Sequence, residues 1–408
     1  MFHFGILLYL IAYKLILRQI LKRLLLITTL AFTAHLQAET LELWSAFNGD
    51  VNHQIANHFE ESTGHRVTTR EFANGNIKAE LLLAKQNRNY MPDLIFLPSD
   101  YLGLHEYIAL NPLPSEWIEQ AKLEETAIKS VQVHQEYMGL PLFLGNHLML
   151  FYNKQLVQNP NHTWEQFFSY AIDHPDKQQL SFPAKDMYFF VAFMELFFQQ
   201  KPLGQLDFTS QSMAQSLRFY RQLLSKLKIE LECNSDCARS KFLNGEVPYL
   251  IDGDWAFESL NNTLGAQLGI TNLPTYEGNA MQSLSGSKVI AVTKGAFQNP
   301  RKRELVQRFI QSMQDEAFLK RLSQKYQYIS SFKQVNQEVF TASDELALAI
   351  YNEYLVAQPM PTTLRLSFVW EVLSRGFYRY FDGMPAKEVT LYMDTLVHQF
   401  ESKIESSR

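Results

Sequence analysis

Cysteine is nearly absent from this chain of 408 residues, with only Cys233 and Cys237 present. A disulfide scaffold is therefore excluded. Long apolar runs are missing beyond the first forty residues: no later segment approaches the roughly 18 uninterrupted apolar residues of a membrane-crossing helix. There is no excess of basic charge. Lys and Arg number 37 against 42 Asp and Glu, the net charge is −5 and the pI is about 6.1, which argues against a broad nucleic-acid surface. Internal repeats, low-complexity tracts and Ser/Gly linkers are absent too. The hydrophobic fraction of 46 % and charged fraction of 19 % exclude intrinsic disorder and a collagen-like chain. The length suggests two or three compact units. What is plentiful is aromatic surface, with 30 Phe, 19 Tyr and 5 Trp, enough to fill a core or to line a pocket.

Acidic residues are also missing from residues 1–38, which carry Lys14, Arg18, Lys22 and Arg23. Lys22-Arg23 precede an apolar run from Leu24 to Ala34, and Leu36-Gln37-Ala38 follow. A positive flank, a short apolar stretch and small residues form the order of a secretory signal cleaved after Ala38. The preceding stretch, Phe2 to Ile20, is long for a signal and suggests that translation begins downstream. A genuine extension or an uncleaved membrane anchor are the alternatives. No Cys lies near the cleavage point to carry a lipid. In an exported protein, Cys233 and Cys237 read as one disulfide closing a small loop. A metal would need further ligands, and no His is near.

Catalytic signatures are missing as well. There is no Gly-x-Ser-x-Gly, His-Glu-x-x-His, P-loop or Gly-x-Gly-x-x-Gly. Asp252-Gly253-Asp254 opens like a calcium loop, but the remaining ligand positions do not follow. The chain instead alternates strand and helix patterns. Residues 40–44, 67–72 and 93–97 read as strands, with a helical face through Ile55 and Phe59 that ends at Gly64. Residues 139–153 read as one long strand able to pass from one lobe to another. Thr163 and Gln166 form a capping box. Helices are expected over 187–198, 210–227, 301–326, 346–355, 366–381 and 386–404, and strands over 249–252 and 288–293. Strands alternating with helices predict an α/β architecture with a mostly parallel sheet.

From Leu41 onward the chain resembles the periplasmic solute-binding proteins of ABC importers, in their maltose/maltodextrin-binding branch. The resemblance rests on Leu43-Trp44 through Phe59-Glu60-Glu61-Ser62-Thr63-Gly64, Pro92-Asp93-Leu94-Ile95-Phe96, Gly139-Leu140-Pro141 and Phe151-Tyr152-Asn153-Lys154. Thr163-Trp164-Glu165, Phe242 to Glu246, Asp252 to Ala256, Leu273-Pro274-Thr275 and Ser367-Phe368-Val369-Trp370 follow in the family's order. It implies the two-lobed, type II periplasmic-binding-protein fold, each lobe a mostly parallel sheet flanked by helices, with a hinge of crossing strands. Residues 39–143 and 286–331 would form the first lobe, and residues 149–281 and 336–408 the second. It further implies a monomer without cofactor or catalysis, which closes on a sugar and presents it to an inner-membrane permease.

Sugars present C–H faces and hydroxyl edges, so their sites combine flat aromatic rings with polar groups. The resemblance places Trp255, Trp370 and Tyr188 at stacking positions. Asp100, Asn146, Asp50, Tyr101 and Asp186 are polar candidates, and Trp44 is a further one that could equally be core. Asp100 follows a buried strand at its C-terminal end, where open α/β sheets place ligand groups; it and Asp50 could instead cap helices. Leu97, Tyr101, Asn146 and Ser374 depart from the branch's aromatic, basic, Glu and Arg residues, so a carbohydrate class is better supported than maltose itself. The competing readings are the same fold holding a polyamine, iron or sugar phosphate, a receptor for a sensor, or a secreted enzyme with dispersed carboxylates.

Overall fold

A computed structural model of the chain describes residues 40–406 except 48, 73, 87–89 and 199–202. The export signal expected over residues 1–38 lies outside the described residues.

Two sheets organise the molecule. The first has eight strands, and its main path joins β1 (Thr40–Ser45), β2 (Arg66–Glu71), β3 (Leu94–Pro98), β4 (Leu140–Gly145), β9 (Leu284–Thr293) and β10 (Ile329–Ser330) in the spatial order β10-β4-β9-β3-β1-β2. The second has four strands: β5 (Leu148–Asn153), β6 (Leu180–Ser181), β7 (Tyr249–Gly253) and β8 (Leu268–Thr271), ordered β8-β5-β7-β6. All five residues of β3 are buried, as befits a strand covered on both faces. One face of the first sheet packs Leu41, Leu43 and Phe96 under α1 (Asp50–Thr63) and α8 (Pro300–Ser312). The other packs Trp44, Ile95 and Leu97 against Ile77 and Leu81 of α2 (Asn74–Gln86).

The expectation of mostly parallel sheets is corrected. Within the first sheet β1 pairs in parallel with β2 and β3, but β9 runs antiparallel to both β3 and β4. In the second, β5 is antiparallel to β7 and β8, and only β6 beside β7 is parallel. The cause is the double crossing of the chain. A strand arriving from the other sheet enters at the shared edge and runs away from it, against the local strands that run toward that edge. The C-terminal ends of β1, β3, β4, β6 and β7 and the N-terminal ends of β5 and β9 therefore meet in one interval between the sheets.

The expected long strand over residues 139–153 is two strands. It breaks at Gly145, with φ 141°, and Asn146, with φ 58°, where the chain passes from one sheet to the other. The expected helix 301–326 is likewise two: α8, and α9 (Glu316–Tyr326), which restarts where the Asp315 carboxylate accepts from the amides of Ala317 and Phe318. The capping box holds, with Thr163 Oγ1 accepting from Gln166 N at 3.2 Å and Gln166 Oε1 from Thr163 N at 3.1 Å. It starts α4 (Trp164–Asp173), whose Trp164 and Phe167 are buried against α5 (Met187–Phe198) and α6 (Gln211–Lys226). Cys233 and Cys237 form a disulfide with Cα atoms 5.3 Å apart, pinning the first turn of α7 (Ser235–Leu243). Three helices close the chain: α10 (Glu345–Val356), α11 (Leu364–Phe381) and α12 (Ala386–Ser406).

Candidate functional site

An aromatic group built from three distant segments stands where the strand ends meet. Tyr188 lies in the first turn of α5, and its amide donates to Asp186 Oδ1 at 2.9 Å, so Asp186 fixes the start of that helix. Trp255 lies just past the end of β7, in a short 3-10 turn, and meets Tyr188 edge-on with centroids 5.8 Å apart. The Trp255 ring covers the space a Cβ would need at Gly253, so the strand end must be glycine for the indole to fold back over it. Trp370, on α11, stacks on Tyr188 at 6.1 Å and 28°. Trp255 keeps 41 % of its surface exposed, far more than a core tryptophan.

Polar groups surround these rings. The Tyr188 hydroxyl donates to the carbonyl of Asn146, lies 3.2 Å from the carbonyl of Leu284, and accepts from Asn146 Nδ2 at 3.3 Å. Burial pushes the Tyr188 hydroxyl well above its ordinary pKa, and the charges of Asp254, Asp100 and Asp186 push the same way. It stays a neutral donor at any physiological pH. The Asn146 amide donates to Asp254 Oδ2 at 2.9 Å, and Asp254 N returns a bond to the carbonyl of His147 at 3.1 Å. Asp252, fully buried beside this group, is held by Arg239 of α7 through bonds of 2.7 and 3.2 Å. Burial nevertheless raises its pKa, against the pull of Arg239.

On the facing side, Asp100 sits in the 3-10 turn Ser99–Leu104 that follows β3. A Cβ at Gly103 would lie 2.6 Å from the carbonyl of Thr363, so this turn packs directly on the start of the helix carrying Trp370. Burial raises the Asp100 pKa to about 6, while its backbone hydrogen bond and Lys78 act in the opposite direction. The folded state thus holds the Asp100 proton more tightly than the unfolded chain does. The associated stability is complete below pH 4 and is lost as pH rises through 6. Asp100→Asn is expected to stabilise the fold at pH 7 by about 1–2 kcal/mol and to leave it nearly unchanged at pH 4. Urea unfolding at the two pH values checks this; equal shifts at both would show that desolvation of the carboxylate is not the cause.

Not every candidate joins this group. Trp44 is 4 % exposed and belongs to the core under α2; its ring packs on Phe72 at 5.0 Å, and its Nε1 donates to Glu42 Oε1. It lies near the C-terminal end of β1, beside the edge strand β2, with the Arg70 guanidinium 5.1 Å over its ring. Asp50 is not the cap of α1, a position held by Gly49. Its carboxylate pairs with Lys325 and accepts from Tyr326 Oη at 2.6 Å, and these partners, Lys325 first, lower its pKa to about 2. It ties α1 to the end of α9 instead. Tyr101 packs against the α2 core, and burial followed by the Asp100 charge raises its pKa to about 12. Leu97, one of the positions departing from the maltodextrin branch, is fully buried core.

Sequence reasoning passed over His147, Lys288 and the part played by Asp254. Lys288 sits on β9 with its ammonium 3.5 Å from the Tyr328 ring centroid and 5.5 Å from that of Phe47. A lysine heading the buried apolar run Val289–Val292 was the available signal. For Asp254 the signal was a carboxylate directly after a strand that ends in glycine. Among the described residues no group of His, Cys, Asp and Glu is arranged to hold a metal ion.

Comparison with known proteins bears on the fold and the family. The family model for bacterial extracellular solute-binding proteins matches residues 54–349. A maltooligosaccharide ABC transporter solute-binding lipoprotein from Streptococcus pneumoniae R6 is 21 % identical over 374 residues, covering 85 % of this chain and 86 % of that protein. Its counterpart in strain TIGR4 matches equally. Among solved structures, the maltose/maltodextrin-binding domain of Bdellovibrio bacteriovorus bound to maltotriose superposes with a TM-score of 0.79 at 18 % identity, over 89 % of this chain and all of the other. The maltose-maltodextrin binding protein of Alicyclobacillus acidocaldarius gives 0.75 at 17 % identity, over 88 % of this chain and all of its own. These neighbours share the two-lobed type II fold. The chain belongs to the family of bacterial extracellular solute-binding proteins.

Proposed function

We propose that the protein captures a carbohydrate, of the maltodextrin-like oligosaccharide class, between its two lobes and delivers it by hinge closure to the permease of an ABC importer. The observation that carries this reading is the Tyr188–Trp255–Trp370 group facing Asp100. Flat rings suit the C–H faces of pyranoses, while Asn146 and the carboxylates suit their hydroxyl edges. The maltooligosaccharides transported with one relative and the maltotriose bound by another support it. The lobes are taken as residues 39–143 with 286–331, and 149–281 with 336–408. In this reading the protein is an exported, periplasmic monomer with a cleaved signal over residues 1–38, and a receptor without catalytic activity.

A positively charged solute such as a polyamine is the second reading. It is favoured by the three carboxylates, Asp254, Asp100 and Asp186, whose charges all bear on Tyr188. Thermal unfolding of the purified protein against maltose, maltotriose, trehalose, spermidine, ferric iron and glycerol phosphate separates the two. A ligand at about 100 times its Kd stabilises the folded state by about 2.7 kcal/mol. Stabilisation by the glucose oligosaccharides alone is the expected result; a shift with spermidine alone replaces the sugar by the cation.

A further inference from the structure

The passage between the sheets at Gly145-Asn146-His147 is held almost entirely by residues of the second lobe. Asn146 is in the left-handed region at φ 58°, which asparagine tolerates better than most residues, and here its neighbours hold it there. Its amide is bonded to Asp254 Oδ2 at 2.9 Å, its carbonyl to the Tyr188 hydroxyl, and its side chain to the same hydroxyl. Asp254 N closes the ring on the carbonyl of His147. At Gly145, φ 141°, the Asp254 carboxylate occupies the space a Cβ would take. The Tyr188 hydroxyl also reaches the carbonyl of Leu284, where β9 starts back toward the first sheet. Both passages are therefore tied to the residues that carry the aromatic platform, since Trp255 follows Asp254 directly and packs on Tyr188.

The tie is incompletely satisfied. His147 is fully buried, and its Nε2 lies 3.0 Å from the carbonyl of Ile350, which can only accept; Nε2 must carry the proton. Burial lowers its pKa, against the pull of Asp254, so the ring is neutral and Nδ1 is a bare lone pair. That lone pair faces Asp254 Oδ2 at 3.9 Å, and both Nδ1 and Asp254 Oδ1 are buried without a hydrogen-bond partner. Unmade bonds on both sides of a buried contact cost free energy, so this arrangement is one that a movement of the hinge can relieve.

We propose that Asp254 is a positioning residue for solute capture: by fixing Asn146 in its left-handed conformation, it couples the placement of Trp255 and Tyr188 to the angle between the lobes. The part of this that concerns solute rests on the function proposed above; the part that concerns the hinge does not.

Spin labels at exposed Glu61→Cys and Asp176→Cys report the distance between lobes, since both native cysteines are held in the disulfide. Pulsed dipolar spectroscopy without ligand is expected to give the same distribution for the parent protein and for Asp254→Asn, which keeps an oxygen for the Asn146 amide. Asp254→Ala should broaden or displace it by about 5 Å or more, as an unlatched hinge would. Gly145→Ala, which drives the carboxylate off its place, should do the same and serves if Asp254→Ala does not fold. With maltotriose, Asp254→Ala should dissociate about tenfold faster while associating within about threefold of the parent rate. Distributions that coincide in all four proteins overturn the proposal, as does a change in Asp254→Asn as large as in Asp254→Ala. If the parent does not bind maltotriose but the distance pattern holds, the sugar reading falls and the hinge assignment stands.

Discussion

Replacing Trp255 by alanine is expected to weaken oligosaccharide binding about thirtyfold, near 2 kcal/mol, while leaving the unfolding transition of the free protein where it was. The two halves of that expectation come from the same exposure. With 41 % of its surface open, Trp255 contributes little to the core: its ring meets the edge of Tyr188, and its indole N–H donates to Asp252, which Arg239 and Gly253 N also hold. The strand beneath it ends at a glycine that already lacks a side chain, so removing the indole leaves an open shelf rather than a sealed cavity. The indole face is what a pyranose would lose. Asp254, next in the chain, keeps its bonds to Asn146 and His147, so the passage between the lobes is unaffected. Isothermal titration with maltotriose measures the first half and thermal unfolding the second. Unchanged affinity would remove Trp255 from the site; lost stability with lost affinity would make it a packing residue after all.

Tyr188 would behave differently, and the contrast is informative. Its hydroxyl joins Asn146 and Leu284, so it serves the platform and the lobe passages at once. Trp255, bonded to Asp252, and Trp370, packed on the core of the second lobe, make no such bond to the passages among the described residues. This division was not legible from residue types, because all three read equally as stacking aromatics.

What could be read from the sequence was whatever a local pattern dictates. Met187–Phe198 is found as expected, since it is apolar but for Glu195 and bounded by Asp186 at its start. The capping box at Thr163 needs only two side chains three residues apart, and it is present with both bonds. Strand direction was not readable. Leu148–Asn153 and Tyr249–Gly253 are equally apolar whether they run together or opposed, and the crossing connection alone makes them antiparallel. The break at Gly145-Asn146 was hidden for a similar reason. Gly145-Asn146 is a turn-forming pair, but nothing local says that the chain leaves one sheet for another there, and the Asn146 amide is held by Asp254, more than a hundred residues away. Trp44 and Asp50 stand apart from the aromatic group because their partners, Phe72 and Lys325, come from other elements that no local motif announces.

Glu353 carries the second large expectation. It is 3 % exposed on α10, and its carboxylate accepts from Asn272 Nδ2 at 2.6 Å and from Leu273 N at 3.3 Å. Burial raises its pKa to about 7, more than those two bonds lower it. The folded state therefore binds its proton more tightly than the unfolded chain. The stability this provides is complete below about pH 4.5, falls as pH rises through 7, and is gone above that. Glu353→Gln keeps one acceptor for Leu273 N, and the Asn272 amide can turn over to accept from the new amide. The substitution is expected to raise stability at pH 8 by about 3 kcal/mol and to change it little at pH 4.5. Urea unfolding of both proteins across that range reads the difference directly, and the shared contributions of Asp100 and Asp252 cancel in the subtraction. A difference that does not vary with pH would show that Glu353 stays ionised in the folded protein. The position matters beyond stability because the same helix meets the hinge from two sides: Ile350 accepts from His147, and Tyr354 Oη lies 2.7 Å from Thr126 Oγ1 on the first lobe. The cost of burying an ionised Glu353, only partly offset by its bonds from Asn272 and Leu273, falls on the helix that braces the passage between the sheets. The Gln variant should therefore be both more stable at pH 8 and less dependent on pH in its distance between lobes.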